Sequence, residues 1–156
     1  MIIHASIPAD DPERVARVIA ELWNGTFAPF PPVPGVFIAR ADDDRGTQVE
    51  VGPRGREAAP AANQLEFRTN PTPSPYSEVH LNIASRLSDE AVLAIGRREG
   101  WTARECDRGG MFKLIEFWVE NKFLIEVMND HEWERYKTLD KAVGAMPTSR
   151  RPGAAR

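Results

Sequence analysis

The chain of 156 residues contains a single cysteine, Cys106, and only three histidines. One thiol excludes an internal disulfide and suits a reducing compartment, so stability has to come from a packed core. No apolar run approaches the roughly 20 residues needed to cross a bilayer. The opening MIIHASIPADD also lacks the layout of a signal peptide, so a soluble cytoplasmic protein is expected. Strong charge of one sign is missing too. The formal net charge is −3, acidic and basic residues are mixed, and only the terminal TSRRPGAAR is locally basic. That excludes a basic stripe for nucleic acid. No P-loop or GxGxxG stretch occurs, and HEWER at 131–135 is not HExxH, because Arg135 stands in place of the second histidine. What remains is an ordinary globular composition, 42% hydrophobic and 28% charged, at a length that suits one domain.

Hydrophobic spacing predicts the elements. Ile2–Ile7 reads as a strand with Ile3, Ala5 and Ile7 on one face and His4 and Ser6 on the other. A helix follows, capped by Asp10 or Asp11, with Pro12 in its first turn and a stripe of Val15, Val18, Ile19 and Leu22. Gly25 ends it. Short strands are expected at 27–30, 36–39 and 47–51. Residues 52–77, rich in proline, glycine and alanine, read as a partly extended connector outside the core. The order then recurs: a strand around His80, a helix from Ser88 to Gly100, and strands at 101–106, 112–119 and 123–128. A last helix from Asn129 or Asp130 places Trp133, Tyr136 and Val143 on one face.

The recurrence is numerical as well as qualitative. His4 and His80 are 76 positions apart, and so are Glu50 in TQVEV and Glu126 in FLIEV. In each of the four strands the neighbours of the histidine or glutamate are apolar: Ile3 and Ala5, Val49 and Val51, Val79 and Leu81, Ile125 and Val127. Because side chains alternate with period two, these neighbours can pack under the helices. His4, Glu50, His80 and Glu126 then share the opposite face with Ser6, Gln48, Asn82 and Met128. The fold class is α+β: two βαβββ repeats forming a curved mixed sheet with a concave site, plus a C-terminal helix. One domain spans 1–145, made of repeat one (1–52), a connector (53–77), repeat two (78–129) and the helix (130–144). A disordered tail is expected at 146–156.

Two glutamates gathered in a concavity repel unless a cation joins them. Two neutral imidazoles and two carboxylates balance a divalent ion, and this donor set suits Zn, Ni, Fe, Co or Mn. It leaves positions for two substrate oxygens, which is what polarising a carbonyl and holding an enediolate requires. Arg40 and Glu116 share the same offset and face, so Arg40, Glu116, Asn82 and Trp118 are candidate substrate contacts. For Arg40 a solvated strand end is the favoured alternative, and Trp118 can equally be a packed aromatic. Trp23 and Trp101 are expected in the core or at an interface, and Cys106 as a buried thiol and not a nucleophile.

The repeat, with histidine on the first strand and glutamate on the last strand of each copy, resembles the vicinal oxygen chelate superfamily. That group includes glyoxalase I, extradiol dioxygenases and bleomycin-binding proteins. The endings DDRGTQVEV and VENKFLIEVM carry the likeness, which covers residues 2–128. The resemblance implies that His4, Glu50, His80 and Glu126 are metal ligands in a glyoxalase I-like pattern. Glu126 would be the base that moves a proton beside a carbonyl, with Glu50 as the alternative. It also implies a homodimer acting on a small molecule with vicinal oxygens, as a lyase or isomerase. Its other branches imply either a metal-free sequestering protein or an extradiol-type dioxygenase, in which Glu50 would be surplus.

Overall fold

The first apolar alternation forms strand β1 (His4–Ala9), and the chain then turns into helix α1 (Pro12–Trp23). The structure is a computed structural model that describes residues 2–62 and 65–144. Asp11 caps α1 by accepting a hydrogen bond from the Arg14 amide at 3.1 Å, and Pro12 sits in the first turn, where its missing N–H has no intrahelical partner to lose. Val15, Val18, Ile19 and Leu22 are fully buried, as their spacing predicts. Asn24, not Gly25, is the left-handed residue that closes the helix, with φ 52°. Gly25 has a different task. A Cβ there would stand 1.9 Å from the Arg40 carbonyl oxygen, so only glycine lets the chain pass. Strands β2 (Thr26–Pro29), β3 (Phe37–Arg40) and β4 (Gln48–Pro53) complete the repeat. The sheet order is β1-β4-β3-β2, with β1 parallel to β4 and the other pairs antiparallel.

The connector holds more order than expected. Strands β5 (Arg56–Pro60) and β6 (Leu65–Thr69) pair antiparallel as a separate two-stranded sheet. Alternating Leu65 and Phe67 supply a strand pattern, and the Arg56 guanidinium lies 4.3 Å over the Phe67 ring. Pro71, Pro73 and Pro75 come only after β6 has ended, so they do not interrupt its pairing.

The second repeat retraces the first: β7 (Leu81–Ser85), α2 (Asp89–Glu99), β8 (Thr102–Asp107), β9 (Lys113–Val119) and β10 (Phe123–Asn129), in order β7-β10-β9-β8. Ser88 caps α2 by accepting from the Ala91 amide, and Gly100 ends it at φ 73°. Helix α3 (Asp130–Gly144) follows, with Trp133 and Tyr136 stacked at 5.9 Å. The expected tail at 146–156 and the side chain of Val143 lie outside the described residues. The class is α+β, two βαβββ repeats and a C-terminal helix, with each repeat forming its own four-stranded mixed sheet.

One apolar core joins the repeats, running from Ile7, Val51 and the α1 stripe to Val92, Phe117 and Ile125. Burial of this kind is worth about 1.5–3 kcal/mol per large aliphatic or aromatic side chain, so it drives assembly without fixing orientation. Polar contacts fix it. Glu99 of α2, its side chain only 5% exposed, accepts from Arg14 of α1 at 2.7 Å. Arg98 of α2 reaches Glu21 of α1 through two nitrogens at 2.8 and 2.6 Å. Glu120, after β9, accepts from the amides of Asp10 and Asp11 at 2.7 and 2.8 Å, which caps α1 from the other repeat. Ser85 of β7 donates to the Leu22 carbonyl.

Candidate functional site

Period-two alternation sets which face each residue occupies, and burial confirms most of it. Ile7, Val49 and Val51 join the core on the helix side, as do Ile83, Ile125 and Val127 in the second repeat. Glu50 and Glu126 therefore stand on the faces away from α1 and α2. The register is the same in both repeats: Ser6 pairs with Glu50 across β1 and β4, and Asn82 pairs with Glu126 across β7 and β10. The side chains repeat the relationship. Ser6 Oγ donates to Glu50 Oε2 at 3.1 Å, and Asn82 Nδ2 donates to Glu126 Oε2 at 3.3 Å. These partners are separated by 76 positions, like the glutamates themselves.

The histidines sit two residues before these donors. His4 opens β1 opposite Gln48 and is exposed. His80 immediately precedes β7, with its side chain 51% exposed and Nε2 3.9 Å from Glu126 Oε2. Val79 and Ile3 were expected beneath the helices, but they are 64% and 46% exposed, because the strands begin only at Leu81 and His4. Met128 was expected to line the open face and is instead wholly buried. It has the parity of Glu126 but lies outside the core beneath the helices, where α3 packs on β10 and β7. The third helix thus covers one end of the second polar face.

Of the proposed substrate contacts, Asn82 and Glu116 lie directly beside Glu126, and Trp118 is half-buried two residues beyond Glu116 on the same face. Arg40 pairs with Gln48 in the first repeat. Trp101 is buried and packs edge-on against Phe117 at 5.9 Å, and Trp23 packs against the core. His131 is exposed, whereas Glu132 is buried and accepts from the Lys113 amide at 2.7 Å, so HEWER anchors α3 to β9.

Two arginines escaped sequence reasoning. Arg108, in the β8–β9 turn, places one nitrogen, Nη2, 2.7 Å from Glu126 Oε1 and 3.2 Å from Glu116 Oε1. Arg104 of β8 holds Glu116 Oε2 through Nε at 2.9 Å and Nη2 at 2.6 Å. The hydrogen bond from Arg104 is the main reason the Glu116 carboxyl lies below its ordinary range. The bond to Glu126 leads in raising Arg108. Cys106, two residues beyond Arg104 on β8, is half-buried. Arg104 shares a face with Glu116 by register, a signal present in the sequence; Arg108 lies past the strand, where parity gives no direction.

The four expected metal ligands are not gathered on one chain. Among the described residues, no group of three or more His, Cys, Asp or Glu side chains is placed to hold a metal ion. Each repeat carries one imidazole and one carboxylate, His4 with Glu50 and His80 with Glu126.

The arrangement of two βαβββ repeats is a fold that solved structures share. The chain is similar to the fosfomycin resistance protein FosX of Listeria monocytogenes, with TM-score 0.56 at 11% identity over 86% of this chain and 97% of that one. It is similar also to the trypanothione-dependent glyoxalase I of Leishmania major, with TM-score 0.53 at 14% identity over 94% and 99%. Lactoylglutathione lyase of Agrobacterium tumefaciens gives TM-score 0.58 at 9% identity over 85% and 96%. No protein-family model matches the chain, and no curated protein sequence does. Among the described residues, no helix is long and apolar enough to cross a membrane.

Proposed function

We propose that the chain is a divalent-metal lyase or isomerase of glyoxalase type, acting in the cytoplasm on a small substrate with vicinal oxygens. Its site is completed when the His4–Glu50 face of one protomer meets the His80–Glu126 face of its partner. The observation that carries this reading is the identical register of the two polar faces, each with one histidine, one glutamate and one hydrogen-bond donor to that glutamate. Exposed Ile2, Ile3 and Val79 at the free edges of the two sheets supply apolar surface for such a pairing.

His4, Glu50, His80 and Glu126 would hold the metal, whose chemistry is to polarise a carbonyl and acidify the adjacent C–H. Glu126 takes the proton from that carbon and returns it to the neighbouring one, while Asn82 and Arg108 orient its carboxylate. Glu50 is the alternative base, steadied by Ser6. Metal analysis of protein purified without chelator, together with sedimentation, tests the proposal. One metal per site in a dimer is expected, with a lower Tm in EDTA; a metal-free protein indifferent to EDTA sinks it.

A second reading, a metal-free protein that sequesters a small molecule, draws support from Arg108. Its ion pair at 2.7 Å already compensates the Glu126 charge, so this face does not require a cation. The same metal analysis separates the two.

A further inference from the structure

Arg104 and Arg108 stand on the same face but spend their donors differently. Arg104 uses both nitrogens of one guanidinium edge on Glu116. Arg108 uses Nη2 alone, shared between Glu116 and Glu126, and its Nε and Nη1 have no hydrogen-bond partner among the described residues. Its side chain remains 35% exposed. Guanidinium recognises carboxylate through two adjacent nitrogens, and the outer edge of Arg108 is formed by Nη1 and Nη2. A carboxylate docking there takes an Nη2 hydrogen from one of the two glutamates. Glu116 yields it at least cost, because its bond to Arg108 is the longer, at 3.2 Å, and Arg104 keeps two bonds to it. Glu126, at 2.7 Å, stays in place.

We propose that Arg108 selects a small organic carboxylate, a 2-oxo or 2-hydroxy acid, and seats its carboxylate so that the carbon bearing the acidic hydrogen, C3 of the oxo acid or C2 of the hydroxy acid, faces Glu126. The proposal rests on the reading of this face as the substrate site. One guanidinium then holds both the substrate's anion and the base. Lysine cannot replace it, since a point charge cannot grip two carboxylates in fixed relative geometry. No bond is made or broken in this step; it is an exchange of ion-pair partners.

The test is calorimetric titration of the full chain with a panel of 2-oxo acids, pyruvate and phenylpyruvate among them, and with their neutral methyl esters. Acids should bind more tightly than esters. Arg108→Gln should lose about ten- to a hundredfold in acid affinity, the range set by one charged hydrogen-bonded pair, and lose far less in ester affinity. Arg108→Lys should fall between. Circular dichroism of each variant establishes that it is folded. If no acid outbinds its ester, or if folded Arg108→Gln and Arg108→Lys bind acids like the native chain, the proposal is overturned. Titration of the same samples with cobalt(II) alone keeps the two readings apart. Acid preference without cobalt binding removes the metalloenzyme and retains Arg108 as the selector. Cobalt binding without acid preference does the reverse.

Discussion

Replacing Glu99 with glutamine tests the junction between the repeats. The Glu99 side chain is 5% exposed and is met by Arg14 at 2.7 Å, Arg98 at 2.8 Å and Arg17 at 3.6 Å. Glutamine preserves the volume and one acceptor oxygen but removes the charge. A hydrogen bond to a charged group is worth about 1.5–3 kcal/mol. Two circumstances hold the loss toward the lower end. Arg14 and Arg17 are 40% and 43% exposed, so water screens them. Arg98 also keeps Glu21, and Arg14 keeps the Glu99 carbonyl and the Trp101 ring. The expected destabilisation is therefore about 2 kcal/mol at pH 7.

The pH dependence makes the test sharper. Burial pushes the Glu99 carboxyl up, but the hydrogen bonds from Arg14 and Arg98 outweigh it and leave it below the ordinary value of 4.5. A depressed folded-state pKa contributes stability that is fully present above the unfolded value and is lost as pH falls through the folded one. Glutamine does not titrate. The difference between native chain and Glu99→Gln, measured as urea unfolding midpoints at constant m, should be largest at neutral pH and should close as pH drops below 4.5. A difference under about 0.5 kcal/mol at pH 7, the range of ordinary surface substitutions, would refute the reasoning. So would a difference that does not change with pH.

Gly25→Ala should cost at least the 1–3 kcal/mol typical of overpacking, because the obstacle 1.9 Å away is a backbone oxygen. Gly100→Ala, in open space at φ 73°, should cost only about 1 kcal/mol; equal losses in thermal unfolding would contradict the packing argument. Ser85→Ala removes the donor to the Leu22 carbonyl and the acceptor for the Leu87 amide at a site 3% exposed. It should lower stability by about 1–3 kcal/mol in urea, and an unchanged midpoint would count against a role for Ser85 in joining the repeats.

Much of the fold was legible because its causes are local. Asp11, Pro12 and Ser88 start helices wherever the chain goes, and the α1 stripe has one way to be buried. Strand parity likewise put Glu50 and Glu126 on the faces away from the helices, and the shared offset of 76 anticipated their common register. The β5–β6 hairpin was missed because proline content was read over the whole segment, whereas Pro60 only ends β5 and the prolines at 71, 73 and 75 lie beyond the paired strands.

By itself, then, the sequence determined the repeats, their helices and the residues of each polar face, since periodicity and capping act within a few residues. Only the tertiary structure decided what those residues meet. It laid α3 over Met128, bound Glu99 to α1, kept the two histidine–glutamate pairs apart on one chain, and carried Arg108 from a turn onto Glu126. Those outcomes depend on charges and surfaces brought close by folding from distant positions in the chain, and side-chain alternation along a strand carries no information about them.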